Sequence, residues 1–287
     1  MTILDGHIHI EEGPQDRADF VRRMKSVGVT GGVVISTPPP SYRGVGSESS
    51  CEERLDQLFF WSESDAELYP FFWIDPLDDD ADAQVDLAVE RGVAGFKVIC
   101  SSYPPGHPQA LATFQRIATA GKPILFHSGI LWDGQPSAIY NQPAQFEALL
   151  NVKNLKFALA HISWPWCDEL IAVYGKFLNA YACRSDVSVE MFVDVTPGTP
   201  PIYREEVLTK LLTVGYDVEH NIIFGTDCRT NEYNASWTAE WIERDRDIYQ
   251  GLELGEEVVG AIFCENLRRF VGASSDEVTR EIPRPAQ

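Results

Sequence analysis

The sequence predicts an α/β protein folded as a single (β/α)8 barrel, and three observations carry that prediction. Short apolar, β-branched runs recur along the chain, amphipathic stretches at helical spacing separate them, and no glycine-rich phosphate loop marks an open nucleotide-binding sheet. The 287 residues suit one barrel, which typically needs about 250. A doubly wound open sheet is the alternative, and the missing G-x-G-x-x-G pattern leaves it without support.

The strand candidates in chain order are 3–10, 32–37, 69–74, 95–100, 123–127, 156–161, 187–195 and 221–226. Continuously apolar strands separated by helices argue for a parallel sheet covered on its faces, and eight such units close into a barrel whose sites sit at the C-terminal strand ends. The helical stretch 19–27 sets Phe20, Met24 and Val27 on one stripe and stops at Gly28. Stretch 108–120 carries Leu111, Phe114 and Ile117 and stops at Gly121; stretch 166–178 carries Leu170, Tyr174 and Phe177. Pro38, Pro39 and Pro40, with the Gly/Ser stretch up to Ser50, follow the second strand and read as an active-site loop. Asp78, Asp79, Asp80 and Asp82 lack the glycine and closing glutamate of a calcium loop, so they read as a solvated turn and helix start. Residues 1–273 are assigned to the barrel and 274–287 to a polar, proline-containing tail.

The formal charge is -20, from 43 acidic and 23 basic residues. Such a surface repels phosphate backbones and anionic lipid, which argues against nucleic-acid or membrane partners and for a small-molecule substrate. A homo-oligomer is compatible with this composition. No signal-length apolar run opens the sequence, and no apolar stretch approaches the 18 or so residues of a membrane span. Six scattered cysteines without a C-x-x-C pair read as reduced thiols in a cytoplasmic protein. Cys100 and Cys228, near strand ends, read as small buried hydrophobes.

The first strand, Ile3-Leu4-Asp5-Gly6-His7-Ile8-His9-Ile10, carries the chemistry. Side chains two apart on a strand point the same way, so Asp5, His7 and His9 are expected on one face and Leu4, Ile8 and Ile10 on the other. Two imidazoles on one face are half of a divalent-metal site. Downstream, His127 (Pro-Ile-Leu-Phe-His), His161 (Phe-Ala-Leu-Ala-His) and Asp227 (Phe-Gly-Thr-Asp) each end an apolar strand. In a barrel all these ends converge on one mouth, where a metal partner offsets the cost of burying an aspartate. The other two histidines, His107 and His220, sit in polar turns.

Asp-x-His-x-His on strand one, histidines on strands five and six, and Gly-Thr-Asp on strand eight together resemble the amidohydrolase superfamily. The closest resemblance is to its amidohydrolase-related (amidohydrolase 2) branch of metal-dependent TIM-barrel hydrolases. Trp73-Ile74-Asp75-Pro76, Gly95-Phe96-Lys97 and Asn266-Leu267-Arg268-Arg269-Phe270 fit as well. The resemblance implies that His7, His9, His127 and Asp227 hold one divalent metal, most plausibly zinc, a metal that suits imidazole and carboxylate ligands. Asp227 would also take the proton of water, and His161 would face water or substrate in an acid/base or polarising role. In binuclear members a carboxylated strand-four lysine bridges two ions. Lys97 supplies that residue here, while the branch resembled is mononuclear, so one ion is expected and a Lys97-bridged pair is the alternative.

For substrate contacts, Arg229 is expected to pair with a carboxylate, and Trp164, Trp166, Trp132 and Tyr140 to wall a planar group. The implied activity is metal-dependent hydrolysis of a C–O or C–N bond in a small ester, lactone or amide. The alternatives are decarboxylation or hydration of a small carboxylic acid, and a catalytically silent binding barrel. Decarboxylases of this branch often carry Glu near the position of Asp5, so the Asp form leans toward hydrolysis.

Overall fold

The computed structural model describes residues 1–273 apart from 14, 43–45, 47 and 65. The tail expected over 274–287 lies outside the described residues. The strands are β1 (Ile3–His9), β2 (Val29–Ile35), β3 (Glu67–Trp73), β4 (Gly95–Val98), β5 (Ile124–Phe126), β6 (Lys156–Leu159), β7 (Glu190–Asp194), β8 (Ile222–Ile223) and β9 (Cys228–Arg229). All are parallel; β1 to β8 neighbour one another in chain order, and β9 lies on the free side of β1.

The two ends of this sheet are pieces of one passage of chain. β8 pairs with β7, β9 pairs with β1, and between them the Gly6 N–H donates to the Phe224 carbonyl (2.8 Å) and the Asp227 N–H to the His7 carbonyl (2.9 Å). The barrel is therefore closed, and the expected strand over 221–226 is broken by a bend that leaves Asp227 at φ +60°.

The helices are α1 (Arg17–Ser26), α2 (Cys51–Ser62), α3 (Ala81–Arg91), α4 (Pro108–Thr119), α5 (Cys167–Cys183), α6 (Pro201–Thr213), α7 (Ala235–Gly251), α8 (Glu256–Gly260) and α9 (Asn266–Val271). Their ends follow local chemistry. The Asp16 side chain caps α1, Ser50 and Glu53 form a capping box on α2, and Pro108 opens α4. Gly121 (φ +70°) follows α4 in the left-handed region that glycine tolerates best. Between β5 and β6 the connection is made of 3-10 turns, Ala138–Asn141 and Pro143–Asn151, instead of an α-helix.

Strand side chains alternate between two apolar layers. Val33, Phe71, Leu125, Phe192 and Ile223 fill the barrel, while Val34, Phe72, Phe96 and Phe126 pack outward against the helices. In β1 this alternation slips. Its pairing with β2 shifts register between Asp5 and Ile8, so Leu4 joins the inner layer and Ile8 and Ile10 the outer one. Gly6 makes the slip sterically allowed: a Cβ there would meet Ile223 Cγ2 at 2.5 Å. The expected common face of Asp5, His7 and His9 is thus corrected. Asp5 turns to the outer layer, accepting from the Thr226 hydroxyl (2.5 Å), the Thr226 N–H (2.9 Å) and the Tyr233 hydroxyl (3.0 Å). A bulge adds one residue to a period of two and reverses the facing of everything before it.

Candidate metal centre

His7 projects into the barrel from the C-terminal half of β1 and is fully buried. Its Nδ1 lies 2.8 Å from Asp194 Oδ2, at the end of β7. With the carboxylate as acceptor, the Nδ1 proton faces Asp194 and the Nε2 lone pair faces the mouth. Nε2 is 3.1 Å from His9 Nε2, 3.3 Å from Lys97 Nζ and 3.8 Å from Asp227 Oδ1. His9 Nε2 is 3.4 Å from the same Asp227 oxygen. Donors about 2.0–2.1 Å from a tetrahedral zinc stand about 3.3 Å from one another, so the separations among His7, His9 and Asp227 fit a first coordination shell.

His161 stands next to His7, and His127 next to His161. The His161 ring lies 5.1 Å from that of His7 and 5.0 Å from that of His127. One donor atom each from His7, His161 and Asp227 falls within 4.8 Å of the others. His161, expected to face substrate, is therefore also within ligating reach. His127 Nε2 stands 3.3 Å from the Ile130 carbonyl oxygen.

The turn bearing His161 is held in an unusual backbone conformation. His161, Ile162 and Ser163 have φ of +60°, +46° and +54°. Left-handed backbone costs a non-glycine residue about 1–3 kcal/mol, so the neighbours must over-determine it. The Trp164 N–H donates to the His161 carbonyl (3.1 Å) and the Trp166 N–H to that of Ser163 (2.7 Å). The Ser163 and Ser128 hydroxyls meet at 2.5 Å, and the Ile130 N–H donates to the Trp164 carbonyl (2.9 Å), tying the loop after His127 to the turn after His161. Gly198 packs directly on His161, where a Cβ would meet the imidazole's own Cβ at 2.7 Å.

Burial governs the electrostatics. It drives the imidazoles of His7, His9 and His127 well below the usual histidine range, and the Lys97 charge adds to the effect on each. Burial also lowers His161, to about 4, again with Lys97 adding to it. Lys97 is itself lowered by burial, with Asp194 and Asp227 opposing. Asp227 and Asp194 are both raised by burial. The mouth thus gathers neutral imidazoles, the protonation state that binds metal, beside carboxylates whose ionisation a cation would favour.

Of the candidate ligands, His9, His127 and Asp227 open on a cleft of about 460 Å³, and His7 is buried behind them. Lys97, His127, His161, Trp164 and Asp227 line it, as do His9, Tyr42, Trp73 and the 130–133 loop, which includes Trp132. Trp166 and Tyr140 are not among its lining residues; Tyr140 packs against the outer core. Arg229 opens instead on a neighbouring depression, paired with Glu11 and 61 % exposed.

Sequence reasoning missed Asp194, although Met191-Phe192-Val193-Asp194 carries the signal that identified Asp227: a lone carboxylate ending an apolar strand. It also missed Arg54, a buried cation on α2 whose guanidinium donates to the Thr37 and Trp73 carbonyls and stacks on Phe72 (4.4 Å). Nothing in a helical stretch signals such a reach. The Asp5 position loses its bearing on hydrolysis versus decarboxylation, because its carboxylate points away from the mouth.

A family model described as amidohydrolase matches residues 5–273. No curated protein matches the chain. Among solved structures, a probable 2-pyrone-4,6-dicarboxylic acid hydrolase from Acinetobacter baumannii, with citric acid bound, superposes with a TM-score of 0.60 at 12% identity, covering 95% of this chain and 100% of its own. A 2,6-dihydroxybenzoate decarboxylase complexed with 2,6-dihydroxybenzoate gives 0.63 at 14%, covering 94% and 98%. A dihydroorotase from Campylobacter jejuni gives 0.58 at 13%, covering 96% and 85%. At these identities the likenesses establish the shared barrel. With the family match spanning nearly the whole length, the chain belongs to the amidohydrolase family and is an enzyme of that family.

Proposed function

We propose that the enzyme is a divalent-metal-dependent hydrolase cleaving a C–O or C–N bond of a small ester, lactone or amide. The observation that carries this reading is the convergence of His7 Nε2, His9 Nε2 and Asp227 Oδ1, 3.1 to 3.8 Å apart, at the base of the cleft. His7, His9, His127 and Asp227 would hold one ion, and zinc suits this set of nitrogens and a carboxylate. When bound, such a cation supplies Lewis-acid polarisation of a carbonyl and a lower pKa for water.

The chain's own residues do the rest. Asp194 holds the His7 ring through Nδ1. Asp227, whose side chain is 42 % exposed on the cleft, takes the proton of the attacking water and passes it to the leaving group. His161, uncharged at neutral pH, presents a ring N–H to the oxygen on which charge develops. Lys97, whose charge acts on both Asp194 and Asp227, serves as an unmodified charge partner in a one-ion site. Trp164 offers a flat wall against which a planar group is oriented. We place the enzyme in the cytoplasm on its six free, scattered cysteines.

Elemental analysis of the purified protein and of His7→Ala tests the ligand set. About one ion per chain is expected, lost in the variant while circular dichroism retains the fold. Full metal content in His7→Ala removes His7 from the set. On a substrate panel, proton release without carbon dioxide supports hydrolysis, and carbon dioxide release selects decarboxylation instead.

A further inference from the structure

Building on the hydrolase reading, the outer cleft narrows the substrate class. Its floor carries the histidines and Lys97, its wall includes the buried Tyr42, and its rim carries Trp132 and Asp133. The Tyr42 and Trp73 rings meet at 5.0 Å, and Trp73 stands edge-on to His9 at 5.8 Å. The aromatic wall therefore begins at the candidate ligands and runs outward. Trp132 is 82 % exposed although it lines the cleft. Leaving an indole in water forgoes hydrophobic stabilisation that a bound molecule restores.

Among the described rim residues the charge is that of Asp133. Asp133 Oδ1 accepts from the Gln135 N–H (3.0 Å) and the Ser137 hydroxyl (2.9 Å), which fix the carboxylate in place. It lies close enough to Tyr42 that its charge adds to burial in raising that hydroxyl to about 12. Lys97 is the one lysine or arginine among the described lining residues, and it sits on the floor, 3.3 Å from His7 Nε2. Arg229 is turned to the neighbouring depression and paired with Glu11. The whole chain, at -20, adds a field that draws cations to its surface and repels anions.

We infer that the rim formed by Trp132 and Asp133, together with the Tyr42 wall, binds a positively charged, amine-bearing end of the substrate and rejects a carboxylate there. An ammonium group meets aromatic faces and a fixed carboxylate, the two partners that recognise organic cations. A carboxylate in the same place meets Asp133, and among the described lining residues no guanidinium or ammonium stands beside it.

Three probes on one scaffold isolate the charge: 4-(aminomethyl)benzamide, benzamide and 4-carboxybenzamide. Their binding to the full chain is measured by calorimetry after chelation and again with zinc added, with metal content determined in parallel. The cation should bind about tenfold tighter than benzamide, and benzamide about tenfold tighter than the anion. Asp133→Asn should shrink the cation's advantage to about twofold while leaving benzamide unchanged, and Trp132→Ala should weaken the cation by about fivefold or more. The inference is overturned by an anion that binds as tightly as the cation, by a cation advantage that survives Asp133→Asn, or by no measurable binding of any probe. If the charge order holds in metal-free protein that takes up no zinc, the metal reading fails and the rim assignment stands.

Discussion

At the N-terminal end of the barrel, Arg268 grips Glu67 through two hydrogen bonds of 2.7 Å, and Arg269 reaches Glu190 at 2.5 Å. These pairs rim a plug in which Phe270 of α9 packs on Phe192 (5.0 Å) and Phe71 (6.1 Å). At the C-terminal end, His7, His9, His127, His161, Lys97 and Asp227 crowd together around a cleft. The pKa directions diverge accordingly. Glu67 is lowered by its hydrogen bond to Arg268, whereas the fully buried Asp194 is raised by burial. One end uses charge to favour folding; the other buries charge against it and keeps the arrangement for chemistry.

The sharpest test removes the plug. Phe270→Ala should cost about 3–5 kcal/mol of stability, the usual scale for emptying a buried aromatic site. Thermal or urea unfolding measures this, and metal content at 25 °C should stay unchanged. Metal loss in folded Phe270→Ala would show that the two ends are not independent. His161→Asn should act in the opposite way, lowering kcat by about a hundredfold with little change in melting temperature. If that variant also sheds its ion, His161 belongs to the ligand set with His7 and Asp227, as their mutual reach allows.

Asp194→Asn tests the support behind the mouth. Loss of the carboxylate behind His7 Nδ1 should weaken metal affinity about 10–100-fold without abolishing binding. Unchanged affinity in a competition titration would reduce Asp194 to a packing residue. The smallest effect belongs to the paired end. Because the folded pKa of Glu67 lies below its ordinary value near 4.5, the pair stabilises above that pH and the contribution is lost as pH falls through the folded value. Both partners are partly exposed, so it amounts to less than about 1 kcal/mol. Glu67→Gln should lower the melting temperature slightly at pH 7 and by progressively less as pH falls through the folded value. An equal loss across that range would assign the effect to packing.

The residues on their own determined the barrel, the chain order of its strands and the candidates at the mouth. Each follows from local rules: apolar runs make strands, periodic stripes make helices, and a polar residue ending an apolar strand faces the mouth of a closed sheet. His7, His9, His127, His161, Lys97 and Asp227 were legible in this way, and they gather at one end. What only tertiary structure decided depends on contacts between distant segments. The bulge at Gly6, which turns Asp5 outward, arises from register against β2 and close approach of Ile223. The division of the eighth strand between β7 and β1 is set by barrel closure. Asp194 supports His7 across 187 positions of sequence, and Arg229 turns to Glu11 across 218. No periodicity encodes such pairings, because chain separation is irrelevant to which groups meet once the sheet has closed.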